Sequence, residues 1–252
     1  MAYKTAYYSK IILILFFGFF YLPIINIIWQ SFIVNNKFNF SGYSDLFKDL
    51  DVLYGCLNSF LIAFITIIIS SLITLYAIKY FFLKGKSKFF LIFNILNLIL
   101  PETVIAISLL LFFAYFNIGL GYSTLIIAHV VLVLGYSIQL LYQKWLEIDK
   151  IYMIAAYDLG ANDAFVWKTI ILQLLKPTII STSFLSFILS FDDYIFSYFC
   201  SSIETITISN PLLSLLKNGL SLKIKALFVC MISFSFLLSI LYLLYIGFNY
   251  EK

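Results

Sequence analysis

"LNSFLIAFITIIISSLITLYAIKY", residues 57–80, carries a single charge, Lys79, near its far end. A helix rises about 1.5 Å per residue, so about 20 apolar residues cross a hydrocarbon layer of roughly 30 Å. This stretch is long enough. Its Ile, Thr and Phe would favour a strand in water. Lipid offers no partner for backbone N–H and C=O groups, so a lone segment there satisfies them as a helix.

The rest of the chain repeats the pattern. Of its 252 residues, 63% are hydrophobic and 11% charged. A soluble domain carries about 25% charge, so the solvent for much of this chain is lipid. Six segments qualify as spans: 11–32, 57–80, 89–116, 123–142, 178–199 and 226–248. Lys4 and Lys10 precede the first. Its length and the lack of an Ala-x-Ala site predict a retained span rather than a cleaved signal.

All sixteen basic residues are Lys. With the N-terminus inside, eleven fall in inner segments (4, 10, 79, 84, 86, 88, 144, 150, 168, 176, 252) and five in outer ones (37, 48, 217, 223, 225). That bias places both termini in the cytoplasm. The fold expected is an all-α integral membrane protein of six transmembrane helices, forming a single domain over 1–252.

Two connections are longer than turns. In the inner one, 143–176, Ile151, Ile154, Ala155 and Leu159 have helical spacing and Gly160 suits a helix end. Asn162 or Asp163 can cap a second helix with a stripe of Trp167, Ile170, Ile171 and Leu174. This predicts a cytoplasmic helix-turn-helix. In the outer one, Asn210, Pro211, Lys217 and Gly219 outline a short helix.

Enzyme chemistry finds little support. His129 is the only histidine and lies inside the fourth span; a helix–helix hydrogen bond is its expected role. No Ser–His or Cys–His set, Walker A sequence or metal-ligand spacing occurs. Cys56, Cys200 and Cys230 are far apart and outline neither a metal site nor a disulfide framework. Any ATP hydrolysis must belong to another chain, and no nucleic-acid partner is indicated.

Acids inside the spans are the exception to the apolar pattern. Each unpaired charge near a membrane centre costs roughly 2.5–3.5 kcal/mol. Glu102 lies about 13 residues into the third span, ~20 Å deep, just after the helix-loosening Pro101. Asp192 and Asp193 lie at similar depth in the fifth, ~100° apart around a helix. One then faces a cavity while the other meets a neighbouring helix. Two readings stand: neutral or bonded acids among Ser186, Ser190 and Ser197, or carboxylates that attract a cation into a watery pathway.

The inner loop "IAAYDLGANDAFVWKTIILQLLKP" resembles the EAA loop of ATP-binding-cassette (ABC) importer permeases, which reads Glu-Ala-Ala, three residues, Gly, nine residues, Ile-x-Leu-Pro. Ala155, Ala156, Gly160, Ile170 and Leu172 match; Ile154 replaces the Glu and Gln173 the Pro. "LPETVIAISLLLFF" (100–113), "LSFDDYIFSYF" (189–199) and "GLSLKIKAL" (219–227) look like stretches of spermidine/putrescine permeases of the PotC type. In the last, Leu222, Lys223 and Lys225 replace Pro, Glu and Asn.

The resemblance implies a multi-pass protein of the bacterial plasma (inner) membrane. A PotB-like permease subunit would complete the pore, an ATP-binding subunit dimer would hold ATP and Mg, and an extracytoplasmic polyamine-binding protein would deliver substrate. This chain would carry no cofactor or metal. Ala155, Ala156, Asp158, Leu159, Gly160 and Ala161 would couple to the ATPase. Glu102, Asp192 and Asp193 would supply charge to a polyamine, and Phe191, Tyr194 and Tyr198 rings for cation–π contact. An importer of another small cationic solute, and a stand-alone secondary transporter or channel, are the alternatives.

Overall fold

The computed structural model describes residues 2–34, 37–85, 88–202, 204–212 and 221–250. The described residues are helical apart from a two-stranded ribbon and the connections. The elements are α1 (Ala2–Phe32), β1 (Ile33–Val34), β2 (Lys37–Phe38), α2 (Ser41–Lys48), α3 (Leu50–Lys84), α4 (Lys88–Ile99), α5 (Glu102–Tyr115), α6 (Tyr122–Glu147) and α7 (Ile151–Asp158). There follow α8 (Asp163–Phe165), a π-turn (Val166–Ile171), α9 (Leu172–Phe191), α10 (Ile195–Cys200) and α11 (Leu222–Tyr250). Among the described residues, four helices are long and apolar enough to cross a membrane: Leu50–Lys84, Tyr122–Glu147, Asp163–Phe191 and Leu222–Leu244. Phe16–Phe32 and Glu102–Tyr115 are shorter apolar helices.

The chain divides into two units, Met1–Val52 with Leu212–Leu237, and Leu53–Pro211 with Leu238–Lys252. In the first, α1 leads into the antiparallel ribbon, where Ile33 pairs Phe38 and Val34 pairs Lys37. Tyr43 of α2 stacks on Phe32 at 5.1 Å and its hydroxyl meets Ser31 Oγ at 2.8 Å. Asp49 Oδ1 accepts from the backbone N–H groups of Asp51 and Val52 at the start of α3. Its other oxygen pairs with Lys223 at the start of α11. Lys225 donates to Gln30 at 2.9 Å. The ammonium and these hydrogen bonds hold the Asp49 carboxyl below its ordinary pKa, Lys223 contributing most.

The second unit has two apolar cores. Ile78 and Phe81 of α3, Leu141 and Tyr142 of α6, Ala156 of α7, and Val166, Trp167, Ile171 and Leu175 form one. Ile62, Ala106, Phe113, Leu125, Ala128, Leu132, Phe196 and Cys200 form the other. Lipid is as apolar as leucine, so close packing and interhelical hydrogen bonds decide such contacts. Asn94 and Asn97 of α4 donate to the backbone carbonyls of Gly135 (3.2 Å) and Val131 (2.7 Å) on α6. Ser137 of α6 meets Ser186 of α9 at 3.0 Å. At Gly55 a Cβ would stand 3.0 Å from the Thr207 backbone, so glycine there admits the 204–209 segment to α3. Asn58 then donates to the Ile206 carbonyl, and Ser59 Oγ accepts from the Ile208 N–H.

Three expectations change in the structure. The 89–116 span is interrupted: α4 ends at Ile99 and α5 starts at Glu102. Pro101 has no N–H to continue the ladder, and its backbone is extended, at φ −57° and ψ 134°. The second helix of the inner connection and the fifth span are one helix, Asp163–Phe191. Pro177 lies inside it, as membrane helices tolerate. That helix stops at Phe191, short of residue 199, and resumes as α10. Asp192 and Asp193 therefore occupy a break rather than adjacent positions around one helix. The short helix expected at 210–219 lies mostly outside the described residues, Lys217 and Gly219 included.

Candidate functional site

The break at 192–194 contains neither Pro nor Gly. Asp192 closes α9 through its N–H to the Ile188 carbonyl at 3.0 Å. Asp193 opens α10, its carboxylate accepting from the Ser197 N–H at 2.8 Å and the Phe196 N–H at 3.4 Å. Each new helix start leaves N–H groups without intrahelical partners, and a carboxylate there also complements the helix dipole. Unsatisfied backbone groups in lipid cost several kcal/mol each, so Asp193 is what makes an interruption tolerable. Ser209 donates to the Asp193 carbonyl at 2.6 Å.

His129 of α6 lies against this junction. Its Nε2 is 3.7 Å from Asp193 Oδ2 and 3.2 Å from Ser197 Oγ, and its Nδ1 is 2.8 Å from Ser190 Oγ. Asp193 is 8% exposed and His129 1%, so this is an interior cluster. Asp192 is exposed. Of the two carboxylates, only Asp192 is open to a solute.

The remaining pathway candidates sort in the same way. Glu102 is exposed on the first turn of α5. Phe191 is buried and stacked on Phe187 at 5.6 Å, with Phe60 edge-on to Phe187. Tyr194 and Tyr198 lie with ring centroids 5.8 Å apart, and Tyr198 is 53% exposed. The structure thus brings Asp192, Tyr194 and Tyr198 to one junction and turns Asp193 and Phe191 into the protein. His129 and Ser209 were missed as partners of Asp193. A polar residue inside a span was the only sequence signal for His129; its partners are 61 to 68 positions away.

The coupling candidates form a tight turn. After α7, the Gly160 N–H bonds the Tyr157 carbonyl (2.9 Å) and the Ala161 N–H the Ala156 carbonyl (3.0 Å). This Schellman closure places its C′ residue in the left-handed region. Gly160 has φ +83°, where a side chain is strained. Asn162 caps the next helix by accepting from the Phe165 N–H at 2.9 Å. Tyr157 donates to Asp163 at 2.8 Å across the turn; partial burial, then that carboxylate, raises the phenol's pKa. Ala156 is buried, Ala155 and Asp158 are exposed, and Ala161 is half-buried. Ile151, Ile154 and Leu159 (90%) face outward. The α7 stripe thus points away from this chain's own core.

No family model matches the chain. Individual relatives do. The spermidine/putrescine transport system permease protein PotC of Haemophilus influenzae is 29% identical over 239 residues, 89% of this chain and 91% of that protein. The Escherichia coli K12 protein of the same name is 29% identical over 220 residues, covering 84% and 83%. The chain is similar to PotC permeases over most of its length. The described residues include four helices long and apolar enough to cross a membrane, which suits a multi-pass permease. A PotC homolog of Mycoplasma pneumoniae is 34% identical over 156 residues, 58% of this chain and 54% of the relative.

Proposed function

We propose that this chain is the permease subunit of an ATP-driven importer of polyamines, spermidine or putrescine. The observation that carries the reading is similarity to PotC proteins over more than four-fifths of both chains. The exposed acid beside two tyrosines at a helix break supports it, because a polyamine presents several ammonium groups on a flexible stem. Six crossings, by α1, α3, α4–α5, α6, α8–α10 and α11, would leave both termini in the cytoplasm. A PotB-like subunit would supply the other wall of the pathway, and an external binding protein the cargo. The α7 turn would seat its outward apolar side chains on a separate ATPase dimer that holds ATP and Mg. Binding in the pathway is weak in this scheme, since tight binding would prevent release.

Uptake of radiolabelled putrescine and spermidine tests the proposal, in cells whose own polyamine importers are deleted and which express this chain with its genomic neighbours. The expected result is uptake abolished by a catalytically dead ATPase. Uptake of another cation in preference to both polyamines would redirect the substrate assignment. Purified chain that conducts without any nucleotide-hydrolysing companion would overturn the importer reading.

A further inference from the structure

The two nitrogens of His129 reach opposite sides of the helix break. Nδ1 meets Ser190, in the last turn of α9. Nε2 meets Ser197 of α10 and faces the Asp193 carboxylate. Ser190, Ser197, Asp193 and His129 are all buried. We infer that His129 is a positioning residue that clasps α9 to α10 and so sets where Asp192 is presented.

The chemistry of the ring supports this role. A neutral imidazole has one N–H donor and one acceptor nitrogen. A proton on Nε2 places the donor toward Ser197 and the carboxylate of Asp193. Nδ1 is then the acceptor for the Ser190 hydroxyl. One side chain thereby completes a hydrogen-bonded path from one helix segment, through α6, to the next. A polar group buried in the membrane must find such partners or bear its desolvation cost. Asp193 is occupied by α10 and by this ring. Asp192, one residue earlier, is left on the exposed side. The clasp therefore separates two chemically identical neighbours into a structural carboxylate and a presented one.

The effect on transport rests on the pathway role proposed for Asp192; the clasp itself does not. The test uses the assembled transporter with its ATPase, second permease and binding protein, in a background where Cys56, Cys200 and Cys230 are alanine. Asp192→Cys is introduced, and its labelling rate by a membrane-impermeant methanethiosulfonate reagent is measured with His129 intact and with His129→Ala. Loss of the buried bonds should change that rate by about fivefold or more. Equal rates within about twofold would overturn the inference.

In the same complexes with Asp192 restored, His129→Ala should lower the maximal uptake rate by about tenfold and leave the half-saturating substrate concentration within about twofold. His129→Asn places an amide near the Nδ1 position, and His129→Gln near Nε2. Each retains one side of the clasp and should fall between wild type and alanine. If both match wild type, bridging is unnecessary and the inference fails. If His129→Ala does not assemble, the Asn and Gln variants carry the labelling measurement. Normal uptake by Asp192→Asn would remove Asp192 from the pathway, while the labelling rates would still decide the role of His129.

Discussion

In the second unit two of the long apolar segments, 89–116 and 178–199, are broken beside an acidic residue, and the two breaks are made differently. At Leu100–Pro101 the cause is local. Proline lacks the donor, the backbone turns extended, and Glu102 begins the next helix exposed to its surroundings. At 192–194 no residue forbids a helix. The chain leaves helical geometry because Asp193 caps α10, Ser209 bonds its carbonyl, and His129 ties both flanks. The first break is a property of the backbone; the second exists only in the folded molecule. A break of the first kind survives loss of its acid, whereas one of the second kind depends on it.

That difference orders the expected effects of substitution. Asp193→Ala should be the most damaging. It strands the Phe196 and Ser197 donors, at about 1–3 kcal/mol each, and thermal unfolding in detergent should show a clearly lowered midpoint alongside lost uptake. A midpoint equal to wild type would mean that α10 needs no cap.

Asp192→Asn and Glu102→Gln should act on transport alone. Uptake should fall by about tenfold, the size expected when one charge contact worth ~1.4 kcal/mol is removed, with complex assembly and unfolding midpoint unchanged. Unaltered uptake in both would remove exposed acids from the mechanism and reduce the comparison to one of architecture.

Pro101→Ala sharpens the contrast. Restoring an N–H lets α4 and α5 join, which should raise stability modestly, by up to about 1 kcal/mol, while slowing uptake. No comparable single repair exists at 192–194. Increased backbone protection of residues 100–105 in hydrogen exchange would register the joining; unchanged exchange would show that tertiary contacts hold this break as well.

The smallest effect should come from Lys223→Ala, which removes a partly exposed partner of Asp49. Such pairs contribute about 0.2–1 kcal/mol. Because the carboxyl's folded pKa is lowered, its contribution is complete above the ordinary carboxylate range and is lost as pH falls through the folded value. The stability gap between wild type and Lys223→Ala should therefore be present at neutral pH and shrink on acidification. A gap that persists in acid would assign the effect to side-chain packing.

Pro101 marked a loosened point in a segment read as one continuous span, which the structure breaks outright; the break at 192–194 had no such mark. Hydropathy located the apolar segments, because lipid imposes helix regardless of β-branched content. Gly160 and Asn162 announced their turn through local rules. The aspartate pair gave no local sign of a break, since its causes lie on α6 and beyond α10. The α7 stripe was visible as spacing, yet spacing cannot say which surface it meets: Ile151, Ile154 and Leu159 point outward, and Ala156 is the buried residue. In the following helix Leu174 was expected in the stripe, whereas Leu175 is the buried one and Leu174 is 36% exposed.

That last displacement follows from the π-turn at Val166–Ile171. A turn of this kind winds in one extra residue, and each residue of an α-helix advances the azimuth by about 100°. The turn is a phase adjuster: Trp167 keys into the core it shares with Phe81 and Tyr142, while Ser186 and Ser190, further along, come round to Ser137 and His129. Deleting a single residue between 166 and 171 would rotate every downstream side chain out of mesh, and no substitution at the aspartates would restore the alignment.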